Sequence, residues 1–322
     1  MSDNILKIRD LSVNYQTDRG KLKALRNVDL DISRGSIVGV VGESGCGKST
    51  LITSIIRQLD SNADIPNGSI EFEKQDLLKL SLDKMRNISG TKLSIVFQDP
   101  MSTLNPVLSI GRQMIDIQYR DKISKKIKKQ RSIDMLTKVG IPDPQSQLNQ
   151  YPHELSGGMQ QRVSIAMALQ AGPSLLIADE PTTALDATLE VQILKLLKEL
   201  QEEIGCSILF VSHHLGVIAE LCDHVIVMYA GEIVEQGSTY EIFNNPAHPY
   251  TVKLLECDPA SISKKQRLLP TIPGEIPDLI NLSGGCIFKN RCDQSIDRCD
   301  KHIPKWNEFA DNHYVSCHLI ES

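Results

Sequence analysis

The apolar run Ile37-Val38-Gly39-Val40-Val41 leads without a spacer into Gly42-Glu43-Ser44-Gly45-Cys46-Gly47-Lys48-Ser49-Thr50. Few stretches constrain a fold more tightly. Glycines free successive backbone N–H groups to point at phosphate oxygens, and this works only where the loop leaves a buried strand and opens a helix. Lys48 then reaches the terminal phosphates and Ser49 ligates Mg2+. The stretch predicts a strand, a phosphate-binding loop and a helix beginning near Lys48, and hence an α/β domain with a central parallel strand.

The flanking sequence fits that frame. Leu11, Val13 and Tyr15 alternate with Ser12 and Asn14, and Val28, Leu30 and Ile32 alternate with Asp29, Asp31 and Ser33, which predicts an antiparallel sheet ahead of the loop. Later, Leu175-Leu176-Ile177-Ala178 reads as a buried strand ending at Asp179-Glu180, and Ile208-Leu209-Phe210-Val211 as another ending at Ser212-His213. Leu189, Ile193, Leu196, Leu197, Leu200 and Ile204 recur between them at helical spacing. A carboxylate at Asp179 can hold the Mg2+ that bridges the terminal phosphates, and Glu180 can polarise an attacking water; an acidic pair at a strand end also serves as a plain helix cap. His213 is a candidate γ-phosphate contact, against the simpler reading of a structural strand-end histidine.

A second motif, Leu155-Ser156-Gly157-Gly158-Met159-Gln160-Gln161-Arg162, follows the loop by about a hundred residues. Ser156, Gly157 and Gly158 would open a helix whose free N–H groups can face a phosphate. Between the motifs, turn residues around Pro100 and Pro106 precede a basic run of Lys122, Lys125, Lys126, Lys128, Lys129 and Arg131, read as the solvated face of a helix in an inserted helical subdomain.

Together these motifs resemble those of ABC-type ATPases, and the resemblance extends over nearly the whole chain. It implies a RecA-like P-loop core with an antiparallel β subdomain, a helical subdomain and a C-terminal extension. It implies that Gly42 through Thr50 bind ATP, that Gln98 in Val96-Phe97-Gln98-Asp99-Pro100 touches Mg2+ and water, and that Tyr15 stacks on adenine. Ser156, Gly157, Gly158 and Gln160 would act on a nucleotide held by a partner ATPase. Asp186 in Ala184-Leu185-Asp186 would lie in the loop that crosses between such partners, and also reads as a helix N-cap. His214 departs from the pattern, since Asp is frequent there in ABC transporters.

Within that class the chain resembles the ATPase subunits of dipeptide and oligopeptide importers. The stretches that carry this are Val96 to Pro106, Tyr151-Pro152-His153-Glu154, Asn245-Pro246-Ala247-His248-Pro249-Tyr250-Thr251, Ile272-Pro273-Gly274-Glu275-Ile276-Pro277 and the cysteine-rich end. Composition shifts past about Asn245 to Pro246, Pro249, Pro259, Pro270, Pro273 and Pro277, so the expected division is 1–245 for the ATPase, with the helical subdomain at about 100–157, and 246–322 for the extension. The implied partners are a second, related ATPase subunit, two transmembrane permease subunits and a periplasmic or extracellular substrate-binding protein. Nickel, antimicrobial peptides and oligosaccharides are alternative cargoes, since cargo is chosen outside this chain.

Composition narrows the choice. With 35 basic and 40 acidic residues the net charge is −5, which gives nucleic acid no general attraction. No stretch approaches the roughly 18 apolar residues of a membrane span, and the start lacks a leader pattern, so the expectation is a peripheral subunit on the cytoplasmic face of the inner membrane. A chromosome-maintenance ATPase of the SMC type needs long heptad repeats between the motifs, and a translation-type ABC protein needs two cassettes; neither is present.

Eight cysteines are present, and Cys46, Cys206, Cys222 and Cys257 read as scattered packing residues. Cys286, Cys292, Cys299 and Cys317 cluster with spacings C-x5-C-x6-C-x17-C. Four gathered thiols argue for metal in the cytosol; the spacing lacks the C-x2-C knuckle usual for zinc, and zinc or free thiols stay open beside iron–sulfur. Resemblance to peptide-permease ATPases implies a [4Fe-4S] cluster on these four; His302, His313 and His318 have the chemistry of substitute ligands but read first as surface histidines.

Overall fold

A computed structural model describes residues 3–99, 103–183, 185–258, 270–282 and 284–320. Pro100, Met101, Ser102, Ala184 and Pro259 of the stretches quoted above lie outside them. In chain order the strands are β1 (Asn4–Thr17), β2 (Gly20–Ser33), β3 (Ile37–Val41), β4 (Ala63–Phe72), β5 (Gln75–Asp76), β6 (Leu93–Val96), β7 (Leu175–Asp179), β8 (Ser207–Val211), β9 (His224–Tyr229), β10 (Glu232–Ser238), β11 (Trp306–Ala310) and β12 (His313–Ser316). Compactness divides the chain into two units, residues 1–79 with 210–322, and residues 80–209.

The first unit opens on the expected antiparallel sheet, with order β2-β1-β4-β5. β1 and β2 form a long hairpin in which Leu6 opposes Ile32, Ile8 opposes Leu30 and Leu11 opposes Val28. These side chains are all buried, as the alternating pattern requires. β3 is buried along its whole length and pairs in parallel with β9, Val38 opposite His224 through Val41 opposite Val227. The helix Leu215–Leu221 packs on it so closely that a Cβ at Gly39 would stand 2.9 Å from Cys222 Sγ.

Beyond β9 the same sheet continues antiparallel through β10, β12 and β11. The pairings Glu235–Val315 and Gln236–Tyr314 sew the end of the chain into the unit that carries the phosphate loop. Glu235 is fully buried there, and its carboxyl accepts from Ala247 N at 2.8 Å and His248 N at 3.0 Å and meets His313 Nε2 at 2.7 Å. A buried carboxyl with three partners satisfies the cost of leaving water.

In the second unit β6 pairs in parallel with β7, Leu93 opposite Leu175 through Val96 opposite Ala178. The helix Lys125–Lys138 is N-capped by Ser124 and buries Ser132 and Leu136, while Lys125, Lys126, Lys129 and Arg131 face solvent; Lys122 precedes the helix. The helix Ala187–Ile204 buries Ile193, Leu194, Leu196, Leu197 and Leu200, the face expected from its periodicity, and ends at Gly205 in the left-handed conformation.

Candidate functional site

The phosphate loop leaves β3 at Gly42, whose φ of 151° and close neighbours admit no side chain: a Cβ would lie 2.2 Å from Met228 O. Gly47, also at positive φ, caps the helix Lys48–Ile55, so free N–H groups at the helix start lie at the loop as an anion site requires. Lys48 is buried, and its Nζ donates to Gly42 O at 2.7 Å and Glu43 O at 3.2 Å. Ser44, Gly45 and Ser49 are exposed. Cys46 is buried beneath the loop, and burial pushes its thiol pKa up against the opposing pull of Lys48.

Glu43 stands apart from the rest of the loop. Its backbone N–H donates to the Tyr250 hydroxyl at 2.9 Å, and its carboxylate takes both arms of Arg291 at 2.6 and 3.0 Å. Neither partner was anticipated from the sequence, where His248-Pro249-Tyr250 served only as a family mark. In the same unit Tyr15 is half-buried on β1 beside Leu22 and Ala63, and His213 is exposed just past β8, edge-on to His214 with ring centroids 4.3 Å apart.

In the second unit Asp179 is the last residue of β7 and Glu180 follows with φ 46°, a left-handed conformation rare outside glycine. Such backbone strain persists where surrounding structure holds it, and it clusters at functional positions. Gln98 Nε2 donates to Glu180 Oε2 at 3.0 Å, and Thr183 Oγ1 donates to the same oxygen at 3.1 Å. The structure thus brings Gln98 and Glu180 together and adds Thr183, which the sequence reading did not single out.

The second motif folds as expected: Ser156 caps the helix Gly157–Leu169 by accepting from Met159 N. Ser156 and Gly157 are exposed, whereas Gly158 packs against Leu189, where a Cβ would meet Leu189 Cδ2 at 2.2 Å. Gln160, unlike Ser156 and Gly157, is buried and donates to Pro152 O at 2.9 Å and Leu155 O at 3.2 Å, so its amide braces the loop ahead of the helix. Asp186 is exposed and caps Ala187–Ile204 by accepting from Leu189 N at 3.0 Å.

All eight cysteines of the chain are free thiols. Cys292, Cys299 and Cys317 lie close enough to Cys286 to affect its ionisation: burial, with smaller contributions from these three, pushes the Cys286 thiol up to about 12, and burial also raises Cys292 and Cys317. Among the described residues, no three His, Cys, Asp or Glu side chains converge as ligands of one ion. His313 is committed to Glu235, and His318 Nε2 lies 2.8 Å from His302 O.

Residues 25–183 match the family model described as ABC transporter, and residues 234–299 the one described as oligopeptide/dipeptide transporter, C-terminal region. A probable peptide ABC transporter ATP-binding protein of Sinorhizobium fredii is 43% identical, covering 98% of this chain and 95% of its own. The oligopeptide transport ATP-binding protein of Bacillus subtilis is 44% identical over 98% of this chain and 89% of its own, and the dipeptide transport ATP-binding protein of Escherichia coli 41% over 98% and 96%. Among solved structures, a dimeric ATP-binding cassette in a post-hydrolysis state with ADP and Pi aligns with TM-score 0.65 at 30% identity, over 73% of this chain and 98% of that one. A component of an ABC transporter complex from Clostridium perfringens aligns with TM-score 0.65 at 32% identity, over 76% and 92%.

Proposed function

Given that the chain belongs to the ABC transporter family of ATP-binding proteins, in its oligopeptide and dipeptide branch, we propose that its ATP hydrolysis powers import of short peptides through separate membrane subunits. The observation that carries the reading is the joint presence, on one chain, of the cassette and the peptide-type C-terminal region, with at least 41% identity to peptide transport ATPases over nearly its full length. Among the described residues no helix is long and apolar enough to cross a membrane, which fits a subunit that supplies energy and leaves the channel to others.

The roles follow from chemistry. The loop Gly42 to Thr50, through backbone N–H groups other than that of Glu43, and the Lys48 ammonium hold the phosphates, and Tyr15 offers its ring to adenine. Ser49, Gln98 and Asp179 would hold Mg2+, which neutralises charge on the transferred phosphoryl group. Glu180, steadied by Gln98 and Thr183, orients the attacking water, and His213 contacts the γ-phosphate. Ser156, Gly157 and Gly158, with Gln160 bracing them from below, address a nucleotide on a second ATPase subunit, and Asp186 faces that partner. ATP shared in this way favours a closed pair, and hydrolysis releases it. A related but different ATPase as that partner, two permease subunits and a substrate-binding protein complete the proposed assembly, at the cytoplasmic face of the membrane.

For the extension we propose a [4Fe-4S] cluster held by Cys286, Cys292, Cys299 and Cys317. Thiolates of one zinc ion stand about 4 Å apart, given a Zn–S bond of roughly 2.3 Å, whereas a cubane spreads its four cysteines more widely. The four thiols are neighbours, and their C-x5-C-x6-C-x17-C spacing lacks the C-x2-C knuckle usual for zinc, which supports the larger guest. When bound, such a cluster supplies one-electron chemistry and the positive charge that deprotonates its thiols.

Uptake of labelled dipeptides and oligopeptides, with nickel as control, tests the reading in cells carrying the wild-type chain or Glu180→Gln at equal expression. Selective loss of peptide uptake in the variant is the expected result. Intact peptide uptake with nickel uptake lost would move the cargo to the alternative.

A further inference from the structure

Arg291 is almost fully buried, yet every one of its five N–H donors has a partner. Nη1 donates to Glu43 Oε2 at 2.6 Å and to the Tyr229 hydroxyl at 3.3 Å; Nη2 donates to Glu43 Oε1 at 3.0 Å and Ile272 O at 3.1 Å; Nε donates to Pro273 O at 2.9 Å. The stem lies under Gly274, where a Cβ would come within 3.1 Å of Arg291 Cγ. Tyr250, also fully buried, offers its hydroxyl to Glu43 N, and its ring sits in a cluster with Tyr229 and Phe288 at centroid distances of 4.7 and 5.4 Å. Two segments of the extension, His248-Pro249-Tyr250 and the turn between Cys286 and Cys292, therefore meet at Glu43 of the phosphate loop, and a third, Ile272-Pro273-Gly274, holds the Arg291 that grips it.

Free N–H groups bind phosphate well only if they are already aimed, since ordering a loose backbone costs conformational entropy at every residue. A loop with glycines at 42, 45 and 47 has little stiffness of its own. A bidentate Arg–carboxylate fork fixes both position and orientation, which a single point charge does not. We infer that the C-terminal extension is a brace that pre-orders the phosphate-binding loop, with Arg291 and Tyr250 as positioning residues acting through Glu43. Neither residue touches nucleotide; both act on binding by removing, in advance, the entropy that the ligand would otherwise have to remove. This rests on the reading of Gly42 to Thr50 as the nucleotide cradle.

The test is titration of the full-length chain with a fluorescent ATP analogue, together with steady-state ATPase kinetics and thermal melting. Arg291→Met should raise Kd and KM for nucleotide about tenfold while kcat of the saturated protein changes less than about twofold. Glu43→Gln, which breaks the same fork from the loop side, should also raise Kd about tenfold, and the two combined should cost no more in affinity than either alone. Arg291→Lys, which restores charge without the fork, should recover only part of the loss. Should Arg291→Met fold poorly, Tyr250→Phe, which keeps the ring packing and removes only the acceptor, should still weaken binding roughly threefold or more.

Wild-type affinity in folded Arg291→Met and Tyr250→Phe, or a kcat that falls in step with the folded fraction at constant KM, would overturn the brace. Absence of analogue binding to the wild type, or binding that survives Lys48→Ala, would instead sink the cradle reading, and the brace with it.

Discussion

Gln98 Nε2 donates a 3.0 Å hydrogen bond to Glu180 Oε2, across 82 residues of sequence. The bond presents the carboxylate in a fixed direction, and Thr183 holds the same oxygen from the other side. Replacing Glu180 by Gln leaves the shape and the phosphate-binding groups in place and removes the base. We expect ATP binding within about twofold of wild type and hydrolysis lowered roughly a hundredfold or more, read from nucleotide titration and phosphate release on one preparation. Near-normal turnover would show that another group polarises the water.

The proposed cluster predicts a visible signature. Replacing Cys286 and Cys292 together by Ser should remove both iron and visible absorbance from anaerobically purified protein, with oxygen ligands too hard to replace the thiolates. Iron content equal to wild type would refute this ligand set, and zinc in place of iron would assign the thiols to the smaller guest.

His248 gives the fold an acid limit. Burial pushes its pKa down to about 4, more than the opposing pull of Glu235 restores, while Tyr250 N–H occupies its Nδ1. Unfolded, the ring titrates near its ordinary value of about 6.5. Between these two values the unfolded chain binds a proton that the folded chain refuses, so stability rises with pH across the window. The contribution, on the order of 3 kcal/mol, is complete above about pH 6.5 and disappears as pH falls through about 4. His248→Asn keeps an acceptor and removes the titration. Melting temperature should therefore drop less between pH 7 and pH 4.5 in the variant than in wild type; equal drops would locate the acid sensitivity elsewhere.

Gly158 is fixed by contact with Leu189. An alanine there must push that side chain aside, at a cost of about 1–3 kcal/mol typical of overpacking. The penalty of Gly158→Ala should shrink when Leu189→Ala is already present, as measured by denaturant unfolding of both backgrounds. A penalty independent of residue 189 would mean that the backbone itself excludes a side chain.

Much of this was legible in the sequence because it is local. Ile37 to Val41 gives a buried strand and Gly42 to Lys48 a loop and helix start, since apolar runs and glycines act over a few residues. Asp186 announces its helix in the same way. What local pattern cannot show is a partnership such as Glu43 with Arg291, 248 residues apart, where each residue alone looks like an ordinary surface charge. Gln160 shows the converse: its place in a recognised motif suggests exposure, but two carbonyls in the loop before the helix draw its amide inward.

Glu235 waits for a residue 78 positions later: its carboxyl is closed by His313, in a strand formed by the last tenth of the chain. A ribosome makes the phosphate loop well before this closure. Until β12 emerges, β10 carries a carboxyl with an open side and an unpaired strand edge, so the unit that holds the loop stays open long after the loop itself has been made. Chains cut short ahead of β12 should consequently be lost to quality control as unfinished protein, rather than survive as a trimmed but working cassette.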